Sequence, residues 1–216
     1  MNKSILIVGA MYLTSVSAFA EPVGIAAGAR TGTNFPMVTE LANVCSTSST
    51  PINVVESDGS GLSNIFKVYQ DKTSQYGVVT EDALVYQQGV DPKMMDRIMM
   101  VFPFFTMEIQ LVVNARSNIR SMADLAGKRV VEGPDGSSTA VTALVLKTVT
   151  GGQWKGIAAS QTAGMDMVQQ GLADAMFIVA GAPVKILSNT GNLRLVPIES
   201  TQLDQLPFYT KTIVPA

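Results

Sequence analysis

Histidine is absent from this 216-residue chain, and cysteine occurs once. Those two gaps remove a good deal of chemistry. Ser-His-Asp and Cys-His catalysis need an imidazole base, and structural zinc sites draw on His and Cys. A single thiol, Cys45, excludes an internal disulfide. It follows Val38, Leu41 and Ala42 at helical spacing, which predicts a buried small hydrophobe. Charge is sparse too: Asp, Glu, Lys and Arg make up 15% of the residues, with a formal net charge of −2. Lys and Arg are scattered, so no basic stripe points to nucleic acid or an anionic membrane. No motif implies a cofactor, and pairs such as Asp58 with Lys67 or Asp135 with Lys128 fall in no recognised catalytic spacing. An enzyme is therefore not expected.

The longest uncharged apolar run is at the start. Residues Met1–Ala20 read as a secretory signal, with Lys3, an apolar stretch from Ile5 to Leu13, and the small-x-small pattern Ala18-Phe19-Ala20. Cleavage after Ala20 is expected, which places the mature chain in the periplasm. No later segment is long enough to span a bilayer. The composition, 47% hydrophobic, nonetheless supports a sizeable core.

What is present is a rhythm of strand, polar loop and helix. Val23–Ala27, Ile52–Val55 and Tyr76–Val79 read as strands, each followed by small and polar residues and then an amphipathic stretch. Thr80 is positioned to cap a helix with Glu81 and Asp82 in its first turn. Arg97–Val101 and Ile109–Val113 read as further strands around Phe102-Pro-Phe-Phe105. A second unit runs from about Ser117 to Glu199, opened by the capping box Ser121-Met-Ala-Asp124. The pattern predicts an α/β fold of mostly parallel sheets flanked by helices. In such sheets the loops at the strands' carboxyl ends gather on one edge, where ligands bind.

The most informative stretch is Val130-Val-Glu-Gly-Pro-Asp-Gly136-Ser-Ser-Thr139-Ala-Val141. It reads as a strand, a Gly/Pro turn and a helix opened by hydroxyl residues, with Gly151-Gly152 as the stop. The first N–H groups of a helix lack intrahelical partners, and the helix dipole concentrates positive charge there. Gly136, Ser137, Ser138 and Thr139 are thus candidates for holding a carboxylate, although an ordinary capped helix has the same sequence.

Several stretches, taken together, resemble the TAXI-type solute-binding proteins of TRAP transporters. They are the loop Gly28-Ala-Arg-Thr-Gly-Thr-Asn-Phe-Pro36, the segment Ser57-Asp-Gly-Ser-Gly-Leu-Ser-Asn64, Thr80-Glu-Asp82, Ser121 to Val131 with Gly133 to Thr139, Gln170 to Phe177 with Gly181-Ala-Pro183, and Phe208 to Ala216. The resemblance implies a two-lobed, type II periplasmic binding protein. Lobe 1 would comprise residues 21–116 plus 200–216, and lobe 2 residues 117–199, with hinges near Ala115–Ser117 and Glu199–Thr201. A small-molecule ligand, a carboxylate or amino acid, would be held between the lobes by Arg30, Thr31, Thr33, Asn34, Ser57, Asp58, Ser60, Asn64, Thr80, Asp82, Gly136, Ser137, Ser138, Thr139 and Gly181. Its recipient would be a membrane permease. Two departures stand out: Arg30 replaces a small residue of the first loop, and the chain ends at Ala216 where members of that family continue. The second leaves open an envelope interaction or sensing module whose partner covers the exposed surface.

Three charged residues carry two readings each. Arg30 could fork onto a ligand carboxylate or pair with Glu21, Glu56 or Asp58. Asp58 and Asp82 could accept a ligand ammonium group. Asp82 alternatively serves the dipole of its own helix.

Overall fold

The computed structural model describes residues 21–71, 73–182, 184, 187 and 191–214. The signal segment and the cut after Ala20 lie outside the described residues, as do Pro183, Lys185 and Ile186 of the stretch Gly181–Leu187, whose Gly-Ala-Pro start reads in the sequence as opening a short helix.

The first half alternates as its sequence pattern requires. Strand β1 (Val23–Gly28) leads to helix α1 (Asn34–Cys45), β2 (Ile52–Glu56) to α2 (Leu62–Gln70), and β3 (Tyr76–Gly77) to α3 (Glu81–Val90) and the short α4 (Pro92–Met95). These strands form a parallel sheet in the order β2-β1-β3. In β1, small side chains let the helices lie close; Ala26 and Ala27 are fully buried. The third strand is shorter than expected, pairing only through Tyr76 and Gly77.

The second half contains β4 (Glu108–Asn114), β5 (Arg129–Val131), α5 (Ser138–Thr150), β6 (Lys155–Ile157), α6 (Gln161–Gln169), β7 (Ala175–Ala180) and β8 (Leu193–Val196). Its sheet runs β6-β5-β7-β4-β8, with β5 parallel to β6 and β7, and β4 antiparallel to β7 and β8. Local chemistry starts and stops the elements. Ser137 Oγ accepts from Ala140 N at 3.2 Å to cap α5, Gly151 ends it in the left-handed region, and Ser121 with Asp124 forms the capping box of a 3-10 turn. Both sheet faces are covered. Leu111, Val113, Leu146, Trp154 and Phe177 pack on one, and Val112, Val131, Met165, Val168 and Met176 on the other.

Three expectations give way. Arg97–Val101 forms no strand; among the described residues it pairs with no strand, and Met99, Met100, Val101 and Phe102 are exposed. Cys45 is exposed at the last position of α1, beyond the buried stripe of Asn34, Val38 and Ala42. The range 21–116 expected for one lobe runs through β4, yet β4 pairs only within the five-stranded sheet, because its apolar run completes that sheet's centre. Residues after 199 also join the second half: Leu203, Leu206 and Tyr209 pack on its core.

The halves are joined by an apolar contact. Val141 and Val145 of α5 pack with Ile65, Ala83, Met94 and Met95 of the first half. Beside it, the buried Asp82 carboxylate accepts from Thr142 Oγ1 at 2.5 Å and from the Tyr209 hydroxyl at 2.8 Å.

Candidate functional site

Between the two sheets lies a cavity of about 110 Å3. It sits at the carboxyl ends of the parallel strands: Ala27 is near the end of β1 and Ala29 follows it, Asp58 and Ser60 follow β2, Gly133 follows β5, Ala159 follows β6, and Val179 is near the end of β7. Three helices begin at its wall. Thr33 and Asn34 open α1, Ser138 and Thr139 open α5, and Gln161 opens α6 behind its capping residue Ser160. Their first N–H groups have no intrahelical acceptors, and three dipoles bring partial positive charge to one space.

The hydrogen-bond pattern determines which lining groups remain available. Ser137 Oγ is occupied by Ala140 N, whereas Thr139 Oγ1 accepts from Val179 N at 3.2 Å and keeps its own proton to donate. Asn34 is buried; its Nδ2 donates to Ser60 Oγ while its Oδ1 is without a partner among the described residues. Buried polar atoms are normally satisfied, so an orphan acceptor in a cavity wall is informative. Asp58 is the only ionisable residue of the lining among the described residues, and it is exposed. Met107, Val131 and Met176 contribute apolar wall.

The cavity brings together Thr31, Thr33, Asn34, Asp58, Ser60, Ser137, Ser138 and Thr139. The other named residues sit elsewhere. Arg30 pairs with Glu56 at 2.9 Å and lies over the Phe35 ring, pointing its charge to solvent. Asn64 is fully buried, donating to the carbonyls of Ala26 and Val78 and accepting from Ser57 Oγ; Ser57 and Asn64 thus hold the first sheet to its loop. Thr80 stands at the cap position of α3, but its hydroxyl is buried without a partner among the described residues and makes no cap bond. Asp82 is engaged by Thr142 and Tyr209, away from the cavity.

Gly136 turns with φ +74°, and its carbonyl accepts from Ser63 N at 3.1 Å, a contact between the halves. Its neighbour Ser137 is packed so tightly that a Cβ on Gly61 would lie 2.5 Å from the Ser137 carbonyl carbon. Gly181 lies against Thr33, where a Cβ would approach Thr33 Cγ2 to 3.3 Å.

Sequence reasoning missed Gln161, Ser160 and Met107. Ser160 was findable: a serine before Gln161-Thr-Ala163 has the spacing of a helix cap, and Ser160 Oγ accepts from Ala163 N. Met107 had no sequence signal.

The profile of the NMT1-like family matches residues 25–216, and the chain belongs to that family. Solved structures share the fold. The chain superposes on an ancestral arginine-binding protein bound to arginine with a TM-score of 0.60 at 16% identity, covering 82% of this chain and 79% of that one. The substrate-binding protein of an amino acid ABC transporter gives 0.59 at 10% identity, with 82% and 79% covered. The alkanesulfonate-binding protein SsuA from Xanthomonas axonopodis pv. citri, bound to MOPS, gives 0.54 at 17% identity, with 84% and 62% covered. The architecture is the α/β fold of periplasmic binding proteins, with helices flanking mostly parallel sheets.

Proposed function

We propose that this chain is an extracytoplasmic solute-binding receptor that holds a small carboxylate-bearing solute between its two sheets. One observation carries the reading: the N-termini of α1, α5 and α6 meet at a single interlobe cavity. Backbone N–H groups and helix dipoles favour an anion there without any cationic side chain. The volume, about 110 Å3, is below the roughly 300–1,000 Å3 of clefts for drug-sized ligands, so the solute is small. Structural neighbours that bind arginine or an alkanesulfonate support a fold used to hold small solutes.

The lobes of this reading are the three-stranded and five-stranded sheets with their helices. The order of motifs from Gly28 to Ala216 supports the finer identification as a TAXI-type receptor, exported by cleavage after Ala20 and delivering its solute to a TRAP-type permease. A second reading, an envelope interaction module on the same fold, is favoured by the consecutive exposed residues Met99, Met100, Val101 and Phe102.

Titration calorimetry against a panel of small organic acids and amino acids tests the receptor function. Saturable binding with a matching rise in melting temperature is the expected result. Absence of both across the panel overturns it.

A further inference from the structure

We propose that the solute is a zwitterionic α-amino acid with a small uncharged side chain, its ammonium group held by Asp58 and Asn34. The inference rests on the receptor reading above and names the solute class for that cavity.

The two walls of the cavity differ in what they offer. From the second half come the starts of α5 and α6, with Ser138, Thr139 and Ser160; among the described residues no ionisable side chain of this wall lines the space. These groups donate hydrogen bonds and favour negative charge. From the first half come the start of α1, the Asp58 carboxylate and the buried Oδ1 of Asn34, unpartnered among the described residues. The last two accept hydrogen bonds, and Asp58 is charged. A simple carboxylate satisfies the three helix starts and leaves these two acceptors, one of them an anion, beside the solute. An ammonium group carried with the carboxylate satisfies both.

The same inventory sets the side chain. Among the described residues no Lys or Arg lines the cavity, so a second carboxylate, as in glutamate, meets no counter-ion from them. The small volume excludes a long cationic chain such as that of arginine. Met107, Val131 and Met176 suit a methyl or similarly small group.

Calorimetry with the mature chain tests this using L-alanine, L-serine, L-lactate, L-glutamate and L-arginine. L-Lactate keeps the carboxylate and the methyl group of L-alanine and replaces the ammonium with a hydroxyl. L-Alanine or L-serine is expected to bind at least about tenfold tighter than L-lactate, with L-glutamate and L-arginine weaker still, in line with the strength of hydrogen bonds to charged groups. Asp58→Asn should weaken L-alanine at least about tenfold while leaving L-lactate unchanged or improved. Circular dichroism and the melting temperature of Asp58→Asn establish that it is folded. Asn34→Asp, which places a second acceptor carboxylate at the cavity, should retain L-alanine over L-lactate. Equal binding of L-lactate and L-alanine, or tightest binding by L-glutamate or L-arginine, overturns the zwitterion and leaves the receptor reading intact. An unchanged L-alanine affinity in Asp58→Asn overturns the role of Asp58. If none of the five binds, while other small carboxylates do, the inference fails alone. If nothing in either panel binds, both fail.

Discussion

The two sheets are built to different standards. The five-stranded sheet is closed on both faces by its own residues; Leu111, Val112, Val113, Val130 and Val131 are fully buried. The three-stranded sheet is narrower, its third strand pairs over two residues, and nearby apolar side chains such as Phe66, Tyr69 and Tyr76 are partly exposed. Its cluster under α2, α3 and α4 is completed by Val141 and Val145, which belong to α5 of the other half. The first half therefore borrows its core from the second. The difference bears on motion. A hinge that separated the sheets fully would withdraw α5 from that cluster and uncover apolar area, at roughly 25 cal/mol for each Å2. A hinge that kept α5 against α3 would leave that cluster covered.

The sharpest way to break this comparison is to charge the shared cluster. Val141→Asp places an unpaired carboxylate where the valine is 3% exposed and is expected to cost on the order of 3–5 kcal/mol. Trp154, the single tryptophan, lies in the second-half core and reports that half by fluorescence, while far-UV circular dichroism reports both. In urea the two signals should shift together for Val141→Asp. If the circular dichroism loses a first-half phase while Trp154 keeps its original midpoint, the halves fold separately.

Asp82 comes next in size. Asp82→Ala leaves the hydroxyls of Thr142 and Tyr209 without their shared acceptor and is expected to destabilise by about 2–3 kcal/mol, measured by the same unfolding curves. Asp82→Asn, which keeps one acceptor oxygen, should cost less. The solute affinity of the folded variant should stay near wild type, because Asp82 is not part of the cavity wall. A selective loss of affinity at unchanged stability would return Asp82 to the site.

Tyr209 gives a smaller effect with a pH signature. Burial, and then the adjacent Asp82 carboxylate, raise its phenol well above the ordinary 10.0. The folded state thus holds the proton more tightly than the unfolded chain. That contribution is complete below about pH 10 and is lost as the pH rises beyond it. Tyr209→Phe should cost about 1 kcal/mol at neutral pH and flatten the alkaline limb of the stability profile. An alkaline limb that persists in Tyr209→Phe would assign it to other groups.

How much of this was legible in the residues follows from the range of each interaction. Ser137, Gly151 and the Ser121–Asp124 box act within a turn of their own position, and the chain spells them out. The same is true of β1, β2 and the hydroxyl-rich start of α5, and hence of part of the cavity wall. Partners distant in the chain were not legible. Nothing near Asp82 announces Thr142 or Tyr209, which lie 60 and 127 positions away. The apolar run of β4 identifies a strand but not the sheet that receives it. Arg97–Val101 has strand composition and lacks a neighbour to pair with, a fact external to those residues. Asn64 looked like a ligand group because a buried amide bridging two strand carbonyls and a free amide facing a cleft have identical sequences.

Arg30 provides the smallest and most discriminating test. Its composition argues for a carboxylate site: a planar cation in a glycine-flanked loop at the end of β1. Its geometry argues otherwise. The side chain is 68% exposed, its Nε donates to Glu56 Oε2 at 2.9 Å, and the guanidinium lies 4.8 Å from the Phe35 ring centroid. Exposed pairs of this kind contribute about 0–1 kcal/mol. Arg30→Ala should therefore change stability by less than about 1 kcal/mol and leave the calorimetric dissociation constant within about twofold of wild type. An increase of tenfold or more would mean that the loop swings Arg30 into the cavity when solute is bound. The solute's negative charge would then be met by a mobile cation as well as by the helix starts, and a cavity with Asp58 as its one charged lining group among the described residues would no longer describe the site.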